Sequence, residues 1–290
     1  MKQKQRVALL GIATVALIFA ACGGDSGNNG TETEGDSSSS VVNSSSSSIG
    51  RSSSSVVASS SGAKVQSSSS VRGSSSSGAL CTNTYGTNTV TDCRDNQTYR
   101  TVTIGTQTWM AENLNYADSV AMPNLKGNSW CYDNNVDSCA KYGRLYTWTA
   151  AMNIDSSYQS VSAAAVISTP QQGACPAGWH VPTDEEWGTL ENAVGGSSVA
   201  GTRLKSRSGW NDDGDESGNG TDSYGFSALP AGHRIYDGSF YYVGGRAYFW
   251  SVTENVTVGA YGRRLDYNYA FMDTNHYGKN YAYSVRCVQD

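Results

Sequence analysis

Hydrophobic and polar residues alternate differently along successive stretches of this chain, and each stretch predicts a different kind of element. Residues 7–21 form an apolar run, whereas residues 23–80 carry only short apolar clusters between serine tracts. A segment so polar cannot bury enough apolar surface to offset the entropy of ordering it, so no packed structure is expected there. From residue 81 onward strand-type alternation sets in. Tyr99-Arg100-Thr101-Val102-Thr103-Ile104 alternates, meets Gly105 and continues as Thr108-Trp109-Met110, which predicts a hairpin. Residues 240–243 and 246–252 flank Gly244-Gly245, a two-residue turn signal that predicts a second hairpin. Residues 264–271 and 281–288 read as the last two strands, joined by polar Asp273-Thr274-Asn275-His276. Helical spacing is confined to two places. Thr183-Asp184-Glu185-Glu186 forms a capping box that leads into Trp187, Leu190 and Val194 on one face, and residues 142–152 are a second candidate. The expected class is α+β: a mostly antiparallel β domain with one or two helices, following a disordered Ser-rich linker.

The amino-terminal pattern concerns location. Lys2, Lys4 and Arg6 stand without an acid before the apolar run, which ends in Leu17-Ile18-Phe19-Ala20-Ala21-Cys22. Charged start, short apolar stretch and small residues at the end describe a secretory signal, and the run is short for a bilayer span. The segment resembles the lipobox of bacterial lipoproteins, with Phe19 where Leu is usual. That resemblance implies acylation of Cys22, which becomes the new first residue after cleavage. The expected organisation is a lipoprotein signal peptide at 1–21, lipidated Cys22 with its tether at 22–80, and a globular domain at 81–290. Export, with an anchor in the lipid bilayer of the bacterial cell envelope at the outer membrane or cell surface, follows as an expectation. The tether repeats Ser-Ser-Ser-Ser-Val from Ser37, Ser52 and Ser67, a period of 15. Its units are too short for a solenoid, and as a flexible chain it spans roughly 5–6 Å × √n, about 40 Å.

Cysteine count and charge narrow the classes. Apart from Cys22 the cysteines are Cys81, Cys93, Cys131, Cys139, Cys175 and Cys287. An even number in an exported chain suggests disulfides, although sequence alone leaves their pairing open. Short loops rich in Asn, Asp, Thr or Gly favour Cys81 with Cys93 and Cys131 with Cys139, leaving Cys175 for Cys287. Residues 81–290 hold 21 acids against 14 bases, a net charge of −7. That balance argues against nucleic acid, which needs a basic face to displace counterions. It also leaves no electrostatic attraction to anionic lipid beyond the anchor.

Longer motifs carry a family resemblance. Ile104-Gly105-Thr106-Gln107-Thr108-Trp109-Met110-Ala111-Glu112-Asn113-Leu114-Asn115-Tyr116, Tyr142-Gly143-Arg144-Leu145-Tyr146-Thr147-Trp148, Cys175-Pro176-Ala177-Gly178-Trp179-His180-Val181-Pro182-Thr183 and Tyr224-Gly225-Phe226-Ser227-Ala228-Leu229-Pro230-Ala231-Gly232 occur in that order. With Phe249-Trp250-Ser251 and Tyr283-Ser284-Val285-Arg286-Cys287-Val288, they resemble the FISUMP family, the Fibrobacter major paralogous domain. The resemblance implies exported, often lipid-anchored proteins of bacteria that degrade plant fibre, and implies no defined reaction. Pro182-Thr183 before Trp187, and Arg286-Cys287 bonded back to the region before the helix, are similar to C-type-lectin-like folds, including the formylglycine-generating enzyme group. Those enzymes act through a cysteine pair near the carboxyl end. Here only Cys287 lies there, a departure that speaks against the same chemistry.

Candidate sites are few. Residues 210–222 form the most acidic loop, in which Asp213, Asp215, Asn219 and Asp222 could offer oxygens to Ca2+, the one candidate cofactor. The echo of an EF-hand loop stops at Tyr224, where Glu would be needed. Aromatics cluster at 236–250, and Tyr236, Tyr241, Tyr242 and Tyr248 are the expected ligand-binding residues, because rings beside polar groups suit sugars. Nothing selects a catalytic residue. His180, His233 and His276 are far apart in sequence, the acids at 184–186 complement a helix dipole, and there is no nucleophile elbow or phosphate-binding glycine loop. The expected function is a non-catalytic binding domain for an extracellular polysaccharide, with an envelope-structural or protein-interaction module as the alternative and a modifying enzyme behind both.

Overall fold

The computed structural model describes residues 81–290. The signal segment, Cys22 and the serine tether lie outside the described residues. Among those described, the chain is mostly antiparallel β with four α-helices and three disulfides.

The long strand Arg246–Val256 organises the interior. Its side chains point alternately to opposite faces, as a strand requires. Tyr248, Trp250 and Val252 enter one core, whereas Ala247 and Phe249 enter another. The strand is therefore covered on both faces, which explains why its apolar run is nearly continuous. On the Phe249 side, helices Asp184–Ala193 and Ser197–Leu204 contribute Trp187, Leu190, Val194, Ala200 and Leu204. The first helix starts at the expected capping box, with Thr183 accepting from the Glu186 amide and Glu186 accepting from the Thr183 amide. Trp187 lies 4.7 Å from Trp109 and 5.6 Å from Phe249, between ring centroids. Burying each ring of this kind contributes about 1.5–3 kcal/mol.

In the larger sheet, strands run in the order Met272–Gly278, Gly259–Asp266, Arg246–Val256, Ala231–Arg234, Ala282–Tyr283, Leu145–Thr147 and Ser129–Trp130, with Phe240–Val243 added beside Ala231–Arg234. The smaller sheet inserts Val288–Gln289 between Gln107–Met110 and Trp179–His180. That insertion sets Cys287 against Cys175, and the bond between them closes a separation of 112 residues. Cys81–Cys93 and Cys131–Cys139 are also joined, the pairs that loop spacing favours. Next to Cys287, the fully buried Arg286 donates to the carbonyls of Met110 and Phe226 and to Asn113 Oδ1. Burial pulls its pKa down to about 9.

Several expectations need correction. Gly244-Gly245 does not close a hairpin. Phe240–Val243 pairs with Ala231–Arg234, and Arg246–Val256 meets that same strand in parallel. The effective turn is Asp237-Gly238, where Ile235 N–H donates to Ser239 O and Gly238 takes φ 100°. At Gly244 the chain instead turns against Asn211, whose amide donates to the Gly244 carbonyl. The helix expected over 142–152 is broken at Gly143, φ 73°, so that Tyr142 ends the preceding helix, Leu145–Thr147 is a strand and Trp148–Ala151 is helical. Residues 273–276 are not a linker; they belong to the edge strand Met272–Gly278, whose outer polar positions face solvent. Four helices exceed the one or two expected, because Val136–Tyr142 and Ser197–Leu204 carry weak periodicity.

Candidate functional site

One end of the larger sheet builds an open cleft. Arg234 lies opposite Ala282, Ala282 opposite Thr147, and Leu145, two residues from Thr147, opposite Trp130. By strand alternation these side chains share one face. The small Ala282 and Thr147 between the larger residues leave a trough, and the Arg234 guanidinium lies over the Trp130 ring, Cζ 3.9 Å from its centroid. The result is a cleft of about 350 Å³ lined by Asn128, Trp130, Thr147, Gln159, Arg234, Tyr236 and Asn280, with Gly127 at its rim.

Each wall has a local cause. The turn at Asp237-Gly238 projects Tyr236, whose ring is 67% exposed and stacked on Tyr281 at 6.1 Å. Asn128 is fixed by its own loop, its side-chain amide donating to Asn124 O at 3.2 Å while its backbone carbonyl accepts from Thr147 N–H. Gln159 Nε2 donates to Thr149 Oγ1 at 3.2 Å. The cleft thus combines one exposed aromatic ring, three side-chain amides and a guanidinium backed by a second ring. Rings of this kind stack on the apolar faces of sugars, and amides meet their hydroxyls.

The expected ligand-binding residues divide. Tyr236 lines the cleft. Tyr241 and Tyr242 are 44% and 50% exposed on Phe240–Val243, outside it. Tyr242 packs between the Arg246 guanidinium, 4.0 Å from its ring centroid, and the His233 ring stacked at 5.7 Å. Tyr248 is 4% exposed and cannot meet a ligand, because its strand is covered on both faces and its ring stacks on Tyr283 at 4.8 Å. Trp130, Arg234, Asn128, Gln159 and Asn280 escape sequence reading. Trp130 is a lone aromatic after Gly127-Asn128-Ser129, and only the pairing of distant strands brings it to Tyr236.

The acidic loop does not gather its four candidate ligands in one place. Asp212–Asp213 and Glu216–Ser217 pair as a small exposed hairpin around Gly214, leaving Asp213 and Asp215 in solvent. Asn219 accepts from the Trp210 amide and donates to Ser217 Oγ, while Asp222 accepts from the Ser227 amide and hydroxyl. The four candidate ligands are thus either exposed or engaged separately. Among the described residues no group of three or more His, Cys, Asp and Glu could hold a metal.

The histidines also part company. His180 receives a carboxylate on each ring nitrogen, Asp290 at 2.6 Å from Nδ1 and Glu186 at 2.8 Å from Nε2. Burial opposes its charge, yet these two partners raise its pKa above the ordinary value. With both nitrogens engaged, the ring has none to offer a substrate. His233 is buried among Tyr242, Tyr248 and Tyr283, and burial together with Arg246 lowers its pKa to about 4. His276 lies exposed on the edge strand. A larger cavity of about 560 Å³ lies beside Arg94 and Tyr116, with two of its polar side chains engaged internally. Arg94 is paired with Asp92 at 2.6 Å, and Gln171 donates to Met152 O and accepts from Ser168.

Fold and cleft together define a disulfide-crosslinked, mostly antiparallel β domain with an open aromatic and amide-lined trough at one end of its larger sheet. The chain belongs to the Fibrobacter succinogenes major domain family, whose model matches residues 102–289. No curated protein matches it, and no solved structure does. Among the described residues no helix is long and apolar enough to cross a membrane.

Proposed function

We propose that this protein is a non-catalytic lipoprotein of the bacterial cell envelope that holds a C-type-lectin-like domain, residues 81–290, on a serine-rich tether from acylated Cys22 and binds plant-fibre polysaccharide. The observation that carries the reading is the cleft: Tyr236 offers an exposed ring, Trp130 backs the Arg234 guanidinium, and Asn128, Gln159 and Asn280 offer hydrogen bonds. Its openness suits a segment of a long polymer, which must enter sideways. The double carboxylate clamp on His180 supports a non-catalytic domain, because it consumes the ring nitrogens that general acid–base chemistry would need.

Retention on insoluble cellulose and hemicellulose tests this reading. The full chain should be retained, and Tyr236→Ala or Asn280→Ala should reduce retention without lowering the melting temperature, since Tyr236 is largely exposed. Equal loss of retention and stability, or no retention by the unaltered chain, contradicts it. A protein-binding alternative draws on a different feature, the exposed pair Tyr269 and Phe271, stacked at 4.7 Å on the turn after Gly259–Asp266. If that surface is the functional one, Tyr269→Ser with Phe271→Ser abolishes capture of an envelope protein and leaves fibre retention unchanged.

A further inference from the structure

Charge inside the cleft refines the ligand class. The described residues carry 21 acids and only 14 bases. Arg94, Arg100, Arg246, Arg263 and Arg264 each hold a carboxylate within ion-pair distance. Arg234 has no such partner among the described residues. Its one hydrogen bond runs from Nη1 to the neighbouring Ile235 carbonyl at 3.4 Å, which leaves most of its donors unused. Asp237, the acid that acts on it, turns one carboxylate oxygen to the Ser239 amide and forms no ion pair with Arg234. Burial lowers the pKa of Arg234, and the pull of Asp237 only partly offsets it.

The guanidinium carbon lies 3.9 Å from the Trp130 ring centroid, so the group is seated in the cleft before any ligand arrives. A planar fork matches a carboxylate through two parallel hydrogen bonds, and the match is stronger in a partly desolvated trough than in water. Neutral sugars need only the rings and amides already lining the cleft. An unpaired guanidinium there can also donate to neutral hydroxyls, but only an anionic group matches its charge as well as its donors.

We propose that the cleft selects polysaccharides bearing carboxylate sugars, with Arg234, backed by Trp130, receiving a hexuronate carboxylate while Tyr236 stacks on a sugar ring and Asn128, Gln159 and Asn280 meet hydroxyls. This rests on the polysaccharide reading above.

Calorimetric titration of the full chain tests it with three polymers: polygalacturonate, the same polymer after its carboxyl groups have been reduced to alcohols, and a sulfated polymer of similar length. A charge-assisted contact of this type predicts about tenfold to a hundredfold weaker binding to the reduced polymer, and a similar loss on polygalacturonate for Arg234→Gln. Arg234→Gln should weaken polygalacturonate more than the reduced polymer, so that the difference between the two closes. Rising salt should weaken the acidic polymer more than the neutral one. Equal affinity for acidic and reduced polymers overturns the uronate assignment and leaves the polysaccharide reading standing. Tighter binding of the sulfated polymer also overturns it. Binding of none of the three, together with no retention on insoluble fibre, overturns both. The comparison of polymers uses the unaltered chain, so it decides the matter even if the variant misfolds.

Discussion

Breaking the Cys175–Cys287 disulfide should cost more than any other single covalent change in this domain. The bond spans 112 residues, whereas Cys131–Cys139 spans 8. In the chain-entropy model a closed loop restrains the unfolded state by an amount that grows with the logarithm of its length, giving about 5 kcal/mol for the long loop and about 2.5 kcal/mol for the short one. Both sulfurs are fully buried where Val288–Gln289 enters the smaller sheet, so the native state also loses packing there. For a domain of this size each kcal/mol shifts the melting temperature by about 2–4 °C. Cys175→Ala with Cys287→Ala should therefore lower it by about 10–20 °C, and Cys131→Ala with Cys139→Ala by about 5–10 °C. Thermal melts followed by near-ultraviolet circular dichroism make the comparison. A long-loop variant that melts no lower than the short-loop variant refutes the reasoning, because it would mean that the bond restrains neither the unfolded chain nor the sheet junction.

Other outcomes follow from buried charge. Lys279→Met leaves Glu254 and the carbonyls of Tyr158, Val161 and Thr257 without their shared ammonium, and should cost about 3–5 kcal/mol in urea unfolding. His180 has a raised pKa and Glu186 a lowered one. Stability from the charged ring is therefore complete below about 6.5 and lost as pH rises through the folded value; stability from the carboxylate is present above about 4.5 and lost as pH falls. The pair contributes most between those limits, and His180→Gln should flatten the dependence of melting temperature on pH above about 6.5; an unchanged slope would show that the carboxylate contacts do not persist in solution.

What could be read from the sequence, and what could not, divides by range. The capping box at Thr183 and Glu186, the turn at Gly105 and the two short disulfide loops are local, and each names its own geometry. Gly244-Gly245 misleads because a turn signal says nothing about which strand its flanks pair with. Ala231–Arg234 takes both partners, one antiparallel and one parallel, and the turn at Asp237-Gly238 closes the hairpin. Tyr248 misleads for a related reason: aromatic alternation predicts one exposed face only where the other side of the sheet is bare, and helices and loops cover both sides here. The cleft was half legible. Tyr236 could be chosen as a member of the aromatic cluster at 236–250, whereas Trp130 comes from a strand more than 100 residues earlier and reaches the cleft through a register that no local pattern encodes.

The most direct measurement is an NMR titration of the full chain with a soluble plant-wall oligosaccharide, following the Trp130 indole and the side-chain amides of Asn128, Gln159 and Asn280. The account predicts that these signals shift together and saturate with one affinity, while the exposed Tyr269–Phe271 turn stays still. Shifts confined to that turn, or no shifts at saturating sugar, would contradict it.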